Sequence, residues 1–338
     1  MPILLAFLYR DGSYSPDAPA AARNWSRRIV LTLAALATVA CCASIRSLVD
    51  PAFVVAPRPS TYTAPAARYD VDVTREVLHD AARNRDVPIT IYTPRIASGA
   101  KLPLVVFSHG IGEDRDSYEY LGRGLAARGF LAVHVTHFGT DKSILERGYW
   151  KLYKATKQKE NWVNRPRDVS FVLDALAKRA NVDASRIAAA GHSAGAFTAL
   201  ALAGLRLEGG TLDDPRVKVA VALSMPKLAG AVAPGGYDAI RVPTLHMTGT
   251  CDGSIIYRTR PRDRRIPFVE SHAAHQYLVT IEGLRHETFS DRDDALHPEI
   301  VELVSAFLDG WLNDDANARA WFDAGGAASL RGVVIEKK

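Results

Sequence analysis

The chain has 338 residues, 48% of them hydrophobic and 23% charged, the balance of a globular protein with a substantial core rather than of a disordered or fibrous one. Its formal net charge of +5 is modest and spread out, so no basic stripe marks it as a nucleic-acid partner. No internal repeat or long low-complexity tract interrupts it.

The first 65 residues differ from the rest. A leader is followed by Trp25-Ser26-Arg27-Arg28 and then by an uncharged run over 29–44. A positive flank, an apolar core and small residues around Ala40 and Ala43 describe an export signal, and Ser26-Arg27-Arg28 resembles a twin-arginine signal. The run is shorter than the roughly 20 apolar residues of a transmembrane helix. It fits a cleaved signal or a retained membrane anchor over 29–44, and the chain is expected to be periplasmic or secreted. Cys41 and Cys42 raise lipidation, but Thr38-Val39-Ala40 is a poor lipobox. Residues 45–68, with Pro51, Pro57, Pro59 and Pro65, read as a linker to a domain over 69–338. In a chain cleaved after Ala43 only Cys251 remains, which excludes an intramolecular disulfide.

Within the domain, 71–78 and 87–92 read as strands joined by a polar turn, and the apolar run 104–107 as a strand buried on both faces. A helix over 115–128 and a strand over 130–135 follow. Residues 141–159 form an insert with five lysines among Tyr149, Trp150 and Tyr153; a solvated surface helix is the plainer reading, a cap over a pocket the functional one. The helix over 165–179 is amphipathic, and Arg165 and Asp168, three apart, read as a local ion pair. Further strands over 217–223, 242–247 and 277–281, the last of the set, and a closing helix over 298–312 complete an α/β alternation. That pattern predicts a mostly parallel central sheet with helices on both faces and a small insert after the fourth strand.

The most informative stretch is 186–204. A β-like segment (187–190) runs into Gly191-His192-Ser193-Ala194-Gly195, and an Ala/Leu-rich helix former follows at once. Strand, G-x-S-x-G and helix are the context of a nucleophile elbow, with the glycines admitting close passage of strand and helix. A serine hydroxyl needs a base, and the base a carboxylate, in the chain order Ser, acid, His. Asp252, at the end of the segment Thr248-Gly249-Thr250-Cys251-Asp252, is the acid candidate; Asp213, Asp214 and Asp238 precede a strand or lie in loops. His286, just past the strand over 277–281, is the base candidate. His297 reads as a helix-cap residue, His192 and His246 as packed residues, and His272 and His275 as a His-x-x-His too isolated for a metal site. The oxyanion needs two donors: the N–H of Ala194 and that of Ile111 in His109-Gly110-Ile111-Gly112, where His109 supports the loop.

The segments 107–112, 191–195, 248–252 and 283–289 together resemble one branch of the α/β-hydrolases, which holds the plasma-type platelet-activating-factor acetylhydrolases and the exported bacterial dienelactone-hydrolase-like proteins. The likeness covers about 70–312 and implies the α/β-hydrolase fold, with Ser193, Asp252 and His286 as triad and Ile111 and Ala194 at the oxyanion hole. The segment Arg165-Pro166-Arg167-Asp168 is similar to a recurring helix start of the branch. True dienelactone hydrolases use a cysteine where this chain has Ser193, so their substrate does not carry over.

The expectation is an exported carboxylic-ester hydrolase acting on a small-molecule ester or lipid, with no metal and no organic cofactor. An amidase, peptidase or acyltransferase would use the same triad, and a non-catalytic envelope binding protein could keep the same fold. Arg258, Arg260, Arg262, Arg264 and Arg265 form a basic cluster, most simply a solvated loop. Beside the pocket it would favour acidic substrates, such as acyl groups with a second carboxylate.

Overall fold

The structure, a computed structural model, describes residues 42–55, 62–64, 66–97, 99–228, 230–254, 259–325, 330 and 332–338. The export segment up to Cys41, and Arg258 of the basic cluster, lie outside the described residues.

In chain order the elements are α1 (Ile45–Leu48), β1 (Val71–Asp80), β2 (Arg85–Pro94), β3 (Leu102–Ser108), α2 (Glu119–Ala126), β4 (Leu131–Val135), α3 (Lys142–Glu146), α4 (Tyr149–Ala155), α5 (Lys159–Leu176), β5 (Val182–His192), α6 (Ala194–Leu202), β6 (Val217–Leu223), β7 (Thr244–Cys251), α7 (Ile266–Glu270), β8 (Gln276–Arg285), α8 (His297–Trp311), α9 (Ala316–Asp323) and β9 (Val333–Lys337). The strands form one sheet in the order β1-β2-β4-β3-β5-β6-β7-β8-β9. Pairing from β4 through β3 to β8 is parallel, and β1, β2 and β9 are antiparallel additions at the two edges.

Burial explains the order. Every residue of β3 and β4 is buried, as continuous apolar strands covered on both faces must be, whereas edge strand β1 alternates between half-buried and exposed positions. One face of the sheet packs Phe107, Leu223 and Tyr277 against Leu121, Phe307 and Phe322 of α2, α8 and α9. The other packs Val106 and Val133 against Val169 and Leu173 of α5 and Leu202 of α6. This is the α/β-hydrolase architecture.

Four sequence expectations need correction. The strand over 277–281 is not the last: β9 pairs with it, because the short run Val333-Val334-Ile335 finds a free sheet edge that no local signal announces. The described parts of 45–68 do not hang free. Val54 bridges Glu336, and the Tyr62 ring lies 5.8 Å from that of Trp321. A disulfide joins Cys42 to Cys251, and the N–H of Ala43 donates to the Thr250 carbonyl at 2.7 Å. The expected absence of a disulfide assumed cleavage after Ala43, which would discard its partner. Finally, Arg165 and Asp168 do not pair with each other: each side chain is drawn to partners outside α5.

Candidate active site

Ser193 occupies the turn between β5 and α6 with φ 53° and ψ −116°, the left-handed half of the map where a non-glycine residue is strained. The turn is possible because Gly191 and Gly195 pass each other at backbone distance. A side chain on Gly195 would overlap the Ser108 carbonyl, and one on Gly191 would overlap Gly195. The N–H of Ser193 is spent on the Leu223 carbonyl at 2.9 Å. Ala194 follows as the first residue of α6, where a helix leaves its N–H groups unbonded and its dipole favours an anion.

After β3 the chain turns through His109, Gly110, Ile111 and Gly112. The Gly110 N–H is held by Glu113 Oε2 at 3.1 Å and Tyr118 Oη at 3.2 Å, and the Gly112 N–H by the Thr140 carbonyl at 2.8 Å. Between them Ile111 lines the same cavities as Ser193. His109 is buried and donates from Nδ1 to the Gly110 carbonyl at 2.6 Å, so it does support the loop.

Asp252 and His286 come from the turns after β7 and β8, and the structure brings them together. His286 Nδ1 lies 3.1 Å from Asp252 Oδ1. Ser224, at the end of β6 with φ 54°, donates to Asp252 Oδ1 at 2.7 Å and sits 2.7 Å from the same His286 nitrogen. Thr248 donates to Asp252 Oδ2 at 2.8 Å. Arg264 closes the group, with Nε 3.3 Å from Asp252 Oδ1 and Nη2 3.2 Å from His286 Nδ1. Burial would raise the Asp252 carboxyl, but the Arg264 charge and the hydrogen bonds from His286 and Ser224 hold it below the ordinary range. An ionised Asp252 fixes the His286 tautomer with its proton on Nδ1 and leaves Nε2 as the basic nitrogen.

Two cavities meet at Ser193. The larger, about 1230 Å³, runs past Ala194, Phe197, Trp162 and Leu228; the smaller, about 500 Å³, is lined by His286, His192, Leu145, Leu152 and Trp150. Tyr153 of the insert borders both. Thus the insert is not a plain solvated helix: α3 and α4 wall the site, while Trp150, 66% exposed, stacks on Tyr153 at the rim.

The remaining candidates fall elsewhere. Asp214 binds Arg216, Asp238 binds His272, and His246 is a buried strand residue bonded to Gln276 at 3.1 Å. His297 opens α8 and stacks on Tyr120 at 3.4 Å. His192 is packed as expected, but against the site: its ring lies 4.6 Å from that of His286, and its Nδ1 is 2.7 Å from Tyr118 Oη. Ser224 and Arg264 escaped sequence reasoning. Ser224 carried a usable signal, the first polar residue after the apolar run of β6, at the same sheet edge that pointed to Asp252. Arg264 was one arginine among five with nothing to separate it.

Parts of the chain resemble known proteins. Residues 73–172 match the family model of platelet-activating factor acetylhydrolase, isoform II, and residues 138–266 match a serine hydrolase (FSH1) model. The platelet-activating factor acetylhydrolase of Bos taurus is 35% identical over 66 residues, covering 20% of this chain and 14% of that protein. That of Canis lupus familiaris is 23% identical over 237 residues, covering 58% and 50%. The chain therefore spans no more than half the length of these curated relatives. A ferulic acid esterase from Streptomyces cinnamoneus shares the fold, with a TM-score of 0.57 and 19% identity over 76% of this chain and 93% of that one. The chain has the α/β-hydrolase fold. Its partial sequence matches are to a serine hydrolase model and to platelet-activating factor acetylhydrolases.

Proposed function

We propose that the protein hydrolyses carboxylic esters through an acyl-serine intermediate. Ser193 Oγ attacks the ester carbonyl as its proton passes to His286 Nε2; Asp252, on Nδ1–H, stabilises the imidazolium. The N–H groups of Ile111 and Ala194 receive the oxyanion. Collapse expels the alcohol, which takes the proton from His286, and water activated by the same nitrogen releases the acid. The observation that carries this reading is the convergence of a serine in a strained strand-to-helix turn and a carboxylate-held histidine on one cavity.

The two cavities divide the substrate. The leaving oxygen must receive its proton from His286, so the alcohol belongs in the smaller, His286-lined cavity and the acyl group in the larger. That larger cavity combines an apolar floor of Trp162, Phe197 and Leu228 with Lys157, Lys159, Arg167 and Lys227 beside one lining acid, Glu208, while a fifth cation on its wall, Arg264, is paired with Asp252. Lys227 has Asp263 at 3.6 Å. Of the basic cluster near 260 it is Arg264 that lines this cavity, while Arg265 is spent on Glu336. The acyl group is therefore an apolar chain with an anionic distal end.

A panel of p-nitrophenyl esters, acetate to palmitate, each with a neutral or carboxylate-terminated acyl chain, tests both statements. Hydrolysis is expected, with fluorophosphonate labelling of Ser193. Lys159→Gln/Arg167→Gln should raise KM about tenfold for the anionic esters only, an effect of exposed charges that half-molar salt should erase. No hydrolysis and no labelling would remove the esterase; equal KM changes for neutral and anionic esters would remove the charge preference alone.

Export is part of the same proposal. Disulfides persist in oxidising compartments, and Cys42–Cys251 is one. Among the described residues no helix is long and apolar enough to cross a membrane. Any signal cleavage then falls before Cys42. The protein recovered from the cell envelope or medium should show no free thiol at Cys251 before reduction; a titratable thiol there contradicts this.

A further inference from the structure

A second Ser–His–Asp chain lies beneath the site. Ser108 Oγ is 3.0 Å from His137 Nε2, and His137 Nδ1 is 3.1 Å from Asp168 Oδ2. Arg85 reaches both oxygens of Asp168, at 2.8 and 3.0 Å, and Arg83 reaches Oδ1 at 2.8 Å. With Asp168 charged, His137 carries its proton on Nδ1 and accepts the Ser108 hydroxyl on Nε2. In hydrogen bonding this repeats the arrangement of a nucleophile, base and acid. It is sealed, however: Ser108, His137 and Asp168 are at most 1% exposed, and none of them lines either cavity. No ester reaches this serine.

Its position gives it another use. Ser108 is the last residue of β3, three before Ile111. The backbone N–H of His137 donates to His109 Nε2 at 3.0 Å, so the residue that holds the Ser108 hydroxyl also holds the ring of the next residue. One turn before Asp168 on α5, the fully buried Arg165 donates to the His109 carbonyl, to Thr140 Oγ1 at 2.7 Å and to Thr198 Oγ1 at 3.1 Å. Thr140 in turn holds Gly112, and Thr198 is on the elbow helix α6. A single turn of α5 thus grips both sides of the loop, by a cation on its carbonyl and by a carboxylate relayed through His137.

We propose that Asp168–His137–Ser108, together with Arg165, is a positioning relay that sets the Ile111 N–H at the oxyanion site. A donor must lie within a few tenths of an ångström of where the charge develops, and a loop built on two glycines does not hold such a position unaided. The inference rests on the esterase reading, in which Ile111 is an oxyanion donor.

Ser108→Ala removes the relay's last hydrogen bond and one buried oxygen. It is expected to lower kcat on p-nitrophenyl butyrate 10- to 50-fold with KM within twofold. The discriminating probe is an aryl trifluoromethyl ketone. Ser193 Oγ adds to its carbonyl carbon, the serine proton passes to His286, and the oxygen becomes an anion in the oxyanion hole. Its Ki should rise by the factor by which kcat/KM falls, while the pH midpoint of kcat/KM stays put. A structural disturbance of the pocket would instead raise KM and leave Ki behind. Asp168→Asn, of nearly equal volume, should move the same quantities in the same direction, and carries the test where Ser108→Ala does not fold. Folded variants with wild-type kcat and Ki overturn the relay alone. A wild type that neither hydrolyses the ester nor binds the ketone overturns the esterase reading and the relay with it.

Discussion

Ser193→Ala is expected to lower kcat for any ester the protein hydrolyses by about 10⁴- to 10⁶-fold, with KM little changed and the fold intact. The substitution removes one oxygen from a residue only 9% exposed, and alanine tolerates the positive φ no worse than serine, so stability should barely move. In the proposed mechanism what disappears is the nucleophile, while the oxyanion donors and the cavities stay. His286→Ala should cost nearly as much, and the double variant little more, because base and nucleophile act as one unit. Asp252→Asn should cost about 10⁴-fold, since an amide can turn its N–H₂ toward His286 and favour the wrong tautomer. Steady-state kinetics with active-site titration reads all four proteins. A Ser193→Ala protein within tenfold of wild type would mean that another group attacks the ester.

The surroundings of Asp252 show why an ionised acid matters here. In the proposed mechanism Arg264 places a fixed cation 3.2 Å from Nδ1 of the base, which itself becomes a cation during attack. Asp252 touches both, with Arg264 Nε and His286 Nδ1 on the same Oδ1 at 3.3 and 3.1 Å, so its negative charge faces the arginine and the imidazole together. Ser224 on Oδ1 and Thr248 on Oδ2 add hydrogen bonds to the carboxylate, which help to hold a buried charge.

The sequence made visible what local chemistry dictates. Gly191 and Gly195 flank Ser193 because a strand-to-helix reversal leaves no room for side chains, so the elbow could be read from that spacing together with the strand before it and the helix after it. Asp252 and His286 were legible because chain order and strand ends constrain them. The limits of β6 were read to the residue, since Val217 and Leu223 bound an uninterrupted apolar run. What stayed hidden depends on tertiary contact. Arg165 and Asp168 stand at helical ion-pair spacing, but α5 turns both toward the sheet, where the His109 carbonyl, His137 and the arginines of β2 and the β1–β2 turn compete successfully for them. Cys42 was read as part of an export segment, and nothing near it in the chain indicates Cys251. The edge strand β9 and the packing of Tyr62 on α9 likewise draw on surfaces assembled from distant segments.

The protein should be sensitive to mild acid, and the reason lies in its buried rings. His134, His137 and His246 are each buried, and burial pushes each from the usual 6.5 down to about 4. Two of them have nowhere to send a second proton: His134 Nε2 and His246 Nδ1 have no hydrogen-bond partner among the described residues. Above pH 6.5 the rings are neutral in both states and contribute no pH dependence. As pH falls from 6.5 toward 4 the unfolded chain takes up protons that the folded chain refuses, so stability falls with pH across that window. The loss approaches about 3 kcal/mol per ring at its lower end. His109 and His192, pushed well down by burial, act in the same direction. Glu113, Asp291, Asp309 and Glu336, raised by burial, act against it. Asp168, held down to about 2, gives stability that is present above pH 3.8 and lost only below the window. Against a total stability of roughly 5–15 kcal/mol, three such rings are decisive. Calorimetry should show Tm lower by at least about 10 °C at pH 4.5 than at pH 7.5. His246→Gln, which removes one titrating ring, should flatten the slope of stability against pH. A Tm constant to within a few degrees between these pH values would mean that the rings reach water and protonate in the folded protein.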